Sequence, residues 1–145
     1  MKREEIMEIL PHRGPMLLVD EVEIDGEYAD SKYTIPQDAW FLQGHFPGYP
    51  VVPGVVLCEI MAQGGVLLVP RETLQQNTAM YSGLDNVKFK NPVFPGDTVC
   101  VRSHISESHW PIICVAAEAK VNGKLCAKGL LKFCMVPKSQ LSGIE

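Results

Sequence analysis

From Gly54 to Val69 the chain reads GVVLCEIMAQGGVLLV, an apolar run bracketed by Pro53 and Pro70. Cys58 and Glu59 are its only ionisable side chains. Pro53 suits the start of a helix, where its missing N–H costs nothing. A helix that is apolar on every side is normally buried. This one is too short to span a membrane and carries a carboxylate, which argues against insertion. The run therefore predicts a central core helix over Gly54–Val69, around which the rest of the chain must close. One carboxylate, Glu59, then sits inside that core.

A buried carboxylate must be paired, hydrogen-bonded or protonated, and desolvation favours its neutral form. Helical side chains tilt toward the N-terminus, so Glu59 is expected to lean over the first turn, toward Val55 and the loop carrying His45. Gln63 lies one turn further on the same face and is placed to hydrogen-bond the carboxyl group. At the helix start the Gly54 N–H has no intrahelical partner, and without a side chain Gly54 admits a close ligand carbonyl. Together these read as a base (His45), an acid (Glu59) and an oxyanion donor (Gly54). The set fits proton removal beside a carbonyl with loss of a leaving group one carbon further on. Each residue also has a plainer use: a loop histidine, a glycine for close packing, a glutamine satisfied by nearby backbone.

Composition narrows the classes. The 46% hydrophobic and 21% charged content describes a globular chain rather than a disordered one. Its 145 residues make one domain, 1–145, able to bury a sizeable core. A net charge of −4 without basic runs argues against nucleic acid as a partner. The opening MKREEIMEIL lacks the apolar stretch of a secretory signal, so a cytoplasmic location is expected. Five cysteines without a C-x-x-C pair read as reduced small hydrophobes, and His104 and His109 lack metal-ligand spacing.

In chain order, Lys2–Leu10 reads as a short amphipathic helix ended by Pro11. Met16–Ile24 and Glu27–Ile35 read as strands joined through the turn signal Asp25-Gly26. The long loop Pro36–Pro53 holds Trp40, Phe41 and Phe46, which read as core rather than ligand-lining, and its length marks it as functional. After the helix and a short connection at Arg71–Asn77, Ala79–Val93 reads as a strand with an irregular middle at Gly83. Thr98–Ser108, Ile112–Val121 and Lys124–Val136 are alternating strands, the last two joined by Asn122-Gly123. A loose tail is expected from Pro137. Strands before one long buried helix, then a run of antiparallel strands, imply an α+β layer fold with the sheet wrapped around the helix.

The stretch GHFPGYPVVPGVVLCEIMAQ resembles the active-site signature of the 3-hydroxyacyl-[acyl carrier protein] dehydratases of the FabZ type. LPHRGPMLLVDEV (Leu10–Val22) and LDNVKFKNPVFPGDTV (Leu84–Val99) resemble two further motifs of that family, in its order and spacing. The sister dehydratase–isomerases keep an Asp at the helix position, so Glu59 favours the FabZ type. The resemblance implies a hot-dog fold, protomers paired into one continuous sheet, and an active site in which His45 of one subunit faces Glu59 of the other. It also implies a trimer of dimers, acyl carrier protein with its phosphopantetheine-linked acyl chain as partner, and no metal or redox cofactor. The chain departs from the pattern at Tyr49, where many members have a second histidine, at Gly14 in place of an aromatic, and at Asn91 in place of a basic residue.

His12 and Arg13 are expected to fix the N-terminal segment, Arg13 by pairing Asp20. Lys88 with Lys90, and Lys128 with Lys132, read as solvated strand faces or as a local patch for an acidic carrier. Three rivals remain beside the dehydratase: a dehydratase that also isomerises the double bond, a coenzyme A-dependent hydratase, and a non-catalytic acyl-binding subunit.

Overall fold

The computed structural model describes residues 1–141. Its strands are β1 (Glu21–Asp25), β2 (Tyr28–Thr34), β3 (Asn77–Phe89), β4 (Thr98–His109), β5 (Ile112–Val121) and β6 (Lys124–Pro137). They form one antiparallel sheet in the order β1-β2-β4-β5-β6-β3. Its helices are α1 (Arg3–Ile9), α2 (Gly54–Val66), α3 (Arg71–Gln76) and the single turn α4 (Lys138–Leu141). The sheet curls around α2, which packs against β2, β4, β5 and β6. This is the α+β, hot-dog arrangement.

The helix is apolar all round because the sheet surrounds it: from Val56 to Val66 every residue except Glu59 is buried. Two glycines bring it close. A Cβ on Gly64 would lie 2.1 Å from Ser31 Oγ on β2, and one on Gly65 would lie 2.6 Å from a Val115 methyl on β5. A larger residue at either position would have to displace the facing side chain.

Several boundaries differ from the sequence reading, each for a physical reason. The helix ends three residues early, at Val66. There Leu68 N–H turns to Gly65 O and Val69 N–H to Val66 O, tightening the last turn before Pro70, which has no N–H to continue it. The expected first strand, Met16–Ile24, begins only at Glu21; Gly14–Met16 is a 3-10 turn. Between them Met16 O and Leu18 N–H bond to the Gln63 side chain on α2 rather than to a strand. The loop of the first hairpin is Gly26-Glu27, one residue later than Asp25-Gly26, with Gly26 at φ +61°.

The third strand runs from Asn77 and stops at Phe89, where the N–H groups of Lys90 and Asn91 both turn to the one carbonyl of Cys126; beyond it Val93 O takes the Val52 N–H. Its ladder is interrupted between Tyr81 and Gly83, as the sequence reading expects, and again between Asp85 and Lys88. At the β5–β6 turn, Asn122 and Gly123 both adopt positive φ. Phe41 joins the core as expected, whereas Trp40 and Phe46 are exposed. Pro137 closes β6 and Lys138–Leu141 add a helical turn, so the tail is ordered over those residues. The rest of the expected loose tail, 142–145, lies outside the described residues.

Arg13 does not pair Asp20. Its guanidinium donates to the carbonyls of Met7, Leu10 and His12 at 2.7–2.8 Å, clamping the turn after α1. Asp20 instead pairs Arg3 at 3.2 Å and accepts the Thr34 N–H. Lys132 is held by Asp85 at 2.6 Å, and Lys88 stands opposite Lys128 in the ladder.

Candidate active site

Gln63 is 2% exposed and makes three hydrogen bonds. The Leu18 N–H donates to its Oε1 at 2.7 Å. Because a backbone N–H can only donate, it sets the orientation of the amide: the oxygen faces Leu18 and the NH2 faces the other way. That NH2 donates to Met16 O at 2.8 Å and to Glu59 Oε2 at 2.7 Å. One carboxyl oxygen of Glu59 is thus pinned as an acceptor by a side chain that cannot rotate. Its Oε1 has no protein partner among the described residues.

The carboxyl is not sealed in the core as the sequence reading expected. The Glu59 side chain keeps 22% exposure and opens onto a cavity of about 410 Å³. The walls are mostly apolar, including Leu10, Val66, Leu74, Met80 and Phe133. Nor does Glu59 share a cavity with Val55 and the His45 loop, toward which it is expected to lean. It turns to Gln63 and to His12, whose Nε2 stands 3.5 Å from Glu59 Oε2. The Tyr81 hydroxyl, on β3 beside the same cavity, donates to Cys58 O at 2.9 Å. Burial first, and then the neighbouring Glu59 charge, push the Tyr81 phenol far above its usual range. Burial likewise raises the Cys58 thiol, with Glu59 adding to it.

His45 and Gly54 lie elsewhere. They line a second, more open cavity of about 690 Å³ together with Phe46, Val51, Phe89 and Lys90. His45 Nδ1 is 2.8 Å from Val51 O. A carbonyl only accepts, so Nδ1 carries the hydrogen, and in the neutral ring the lone pair is left on Nε2. The ring also stacks on Phe46, centroids 4.3 Å apart.

At the start of α2 the Gly54 N–H has no acceptor among the described residues, as the first N–H groups of a helix have no intrahelical partner, whereas those of Val56 and Leu57 both turn to Pro53 O. The space a Gly54 Cβ would fill is faced by the Phe89 ring, 2.9–3.2 Å away. Within one chain, then, the bare α-carbon admits an aromatic ring.

The four residues singled out from the sequence fall into two pairs, Glu59 with Gln63 and His45 with Gly54, in separate cavities of the single chain. Sequence reasoning gave no catalytic place to His12, Tyr81 or Phe89. His12 stands in LPHR, where it reads as fixing the N-terminal segment rather than as doing chemistry. Tyr81 and Phe89 carry no local signal, because their relation to α2 comes from the sheet's closure around it.

Other features of the described residues bear on this site. None of the helices is long and apolar enough to cross a membrane. All five cysteines are free, and no cluster of three His, Cys, Asp or Glu side chains is arranged to hold a metal ion.

A family model described as a FabA-like domain matches residues 10–129. The 3-hydroxyacyl-[acyl-carrier-protein] dehydratase FabZ of Lactococcus lactis subsp. cremoris (strain SK11) is 44% identical over 133 residues, spanning 90% of this chain and 92% of that one. Its namesake from Streptococcus pneumoniae (strain CGSP14) is 44% identical over 134 residues, spanning 90% and 94%. Among solved structures, the dehydratase heterocomplex ApeI:P from Xenorhabdus doucetiae superposes with a TM-score of 0.78 at 19% identity, over 96% of this chain and 95% of that chain. A thioesterase superfamily member from Thermus thermophilus gives 0.68 at 15% identity, over 83% and 89%. At such identities the structural likeness speaks for the fold alone.

Proposed function

The chain belongs to the FabA-like family, and from that premise we propose that it is a FabZ-type hydro-lyase of fatty acid biosynthesis. It removes water from a 3-hydroxyacyl group carried on the phosphopantetheine arm of acyl carrier protein. The observation that carries this reading is Glu59: a carboxyl with one oxygen pinned by Gln63 and the other free, in the wall of an apolar cavity. A polar reacting group in an apolar slot is what a hydroxyl on an alkyl chain requires.

In the proposed reaction His45 Nε2 takes a proton from C2, and Glu59 Oε1 gives one to the C3 hydroxyl. The C3–O bond breaks, water leaves, and the electron pair of the broken C2–H bond becomes the trans-2 double bond. Gly54 N–H, at the positive end of α2, stabilises the charge that develops on the thioester oxygen. The proton gained by His45 restores that of Glu59 through solvent, closing the cycle. Side chains and one backbone N–H suffice for every step.

Because the base and the acid line different cavities, the proposal places each active site between two protomers, His45 of one facing Glu59 of the other. The long edge strand β3 supports this. It runs for 13 residues at the sheet margin, and Met80, Tyr81, Leu84 and Phe89 along it are all 43–52% exposed. An unprotected apolar edge is a template for pairing with another strand. Pairing two β3 strands makes one sheet of both protomers; three such dimers form the assembly the proposal includes. Sedimentation showing only monomer at micromolar concentration would remove it. The proposal also places the protein in the cytoplasm, in keeping with its unpaired cysteines.

The test is enoyl formation from 3-hydroxyacyl carrier protein, run beside the coenzyme A thioester. His45→Ala and Glu59→Gln are each expected to lower kcat by about 10²–10⁴-fold while thermal unfolding stays near wild type. Turnover on coenzyme A alone would make the protein a hydratase outside fatty acid synthesis. Tight acyl binding without turnover would make it a binding subunit.

A further inference from the structure

We infer that His12 is a positioning residue for Glu59: it helps hold one carboxyl oxygen so that the other delivers the proton. The inference rests on the dehydratase reading above.

His12 Nε2 lies 3.5 Å from Glu59 Oε2, the same oxygen to which Gln63 donates. That is longer than a good hydrogen bond, so the contact acts through its charge and dipole. The segment bearing His12 is not free to drift, because Arg13 clamps the carbonyls of Met7, Leu10 and His12 itself. A bare Nε2 lone pair aimed at a carboxyl oxygen would repel it, so the ring proton belongs on Nε2. Nδ1 is then the bare nitrogen, and it is buried without a partner. A buried nitrogen with no partner carries a cost that other interactions must offset. The contact with Glu59 is what the ring gains in this position.

The groups that face Glu59 come from four elements. Cys58 and Gln63 are on α2, His12 is on the N-terminal segment, Tyr81 is on β3, and Lys138 of α4 borders the cavity. The Tyr81 hydroxyl is committed to Cys58 O, and Lys138 has no hydrogen bond or ion pair to Glu59 among the described residues. Gln63 and His12 therefore present the two N–H groups nearest Oε2. With Oε2 facing both donors, the acid proton sits on Oε1, which opens to the cavity. When that proton leaves, the new negative charge spreads over both oxygens, and the donors at Oε2 stabilise it without reorganising. The effect of His12 then falls on the chemical step, in kcat, rather than on substrate binding.

Three variants of the full-length protein separate this from packing. His12→Leu fills the space without a donor. His12→Gln carries an amide N–H about as far as Nε2, and His12→Asn is polar but too short to reach. Dehydration of 3-hydroxyacyl carrier protein is followed with thermal unfolding of each variant. The expected result for His12→Leu and His12→Asn is a kcat about tenfold lower, equivalent to ~1.4 kcal/mol, with KM within about twofold. His12→Gln is expected to recover most of the loss. If His12→Leu fails to fold, the Gln and Asn pair makes the same comparison. Wild-type kcat in His12→Asn overturns the inference, as does an equal loss in the Gln and Asn variants with a raised KM. In either case an active wild type leaves the dehydratase reading standing. A folded wild type that does not turn over the substrate overturns both.

Discussion

Replacing Gln63 with Leu tests the anchoring chain from Leu18 through Gln63 to Glu59. The two side chains are close in volume, so the change removes three hydrogen bonds while leaving the packing nearly filled. Leu18 is 1% exposed, and its N–H would have no water to turn to. A buried donor left this way costs about 1–3 kcal/mol. Met16, in contrast, is 42% exposed and Glu59 keeps access to its cavity, so their oxygens regain solvent partners at little cost. The net loss is then about 2 kcal/mol, dominated by one N–H. For a chain of this length that corresponds to a fall in Tm of about 4–8 °C, read at fixed protomer concentration because assembly also moves Tm. Turnover should fall further than stability implies, by about 10–100-fold in kcat, because the pinned oxygen of Glu59 loses its donor. Gln63→Glu is the sharper companion. It keeps an acceptor for Leu18 N–H but sets a second carboxylate against Glu59 and Met16 O, so its kcat should be lower still at neutral pH. A Gln63→Leu protein with Tm within about 2 °C of wild type and unchanged kcat would refute the reasoning.

The close approach of α2 to the sheet makes Gly64→Ala costly, since the new methyl meets Ser31 Oγ at 2.1 Å. Urea unfolding should show a loss of about 1–3 kcal/mol, and adding Ser31→Gly should return part of it. Burial raises the phenols of both Tyr33 and Tyr81, that of Tyr81 by far enough that it keeps its proton where free tyrosine ionises, near pH ~10. Absorbance at 295 nm at pH 11 should therefore report fewer than four phenolates while far-ultraviolet circular dichroism stays native. The folded state then holds protons that the unfolded chain releases, so stability falls as pH rises above that range. Leu84→Glu puts charge on the exposed margin of β3 and should shift sedimentation toward monomer with loss of activity. An unchanged assembly would show that this edge is not the contact.

Much of the fold was legible because it is written in local pattern. Alternation located Ile112–Val121 to the residue, Asn122-Gly123 announced a turn that needs positive φ, and a long, largely apolar run announced the helix that the sheet encloses. The same run exposed Glu59 and, one helical turn on, Gln63 as its neighbour. These signals concern residues a few positions apart, where backbone geometry alone sets the distance.

What only the tertiary structure decided is which distant groups meet. Strand order placed β3 at the margin beside β6, leaving its apolar residues uncovered, and no local pattern specifies that choice. Gln63 draws on Leu18 and Met16, 45 and 47 positions away, and so turns what reads as strand into a bonded loop. Arg13 reads as a partner for Asp20 but is spent on three carbonyls close at hand, and His12 meets Glu59 across the fold. His45 and Glu59 are 14 positions apart yet open into different cavities, one from the loop before α2 and the other from α2 itself. Residue type and spacing determined which chemistry the chain carries. Closure of the sheet around one helix decided where each group points, since the partner of a buried polar atom is chosen by whatever the fold brings within 3 Å or so of it.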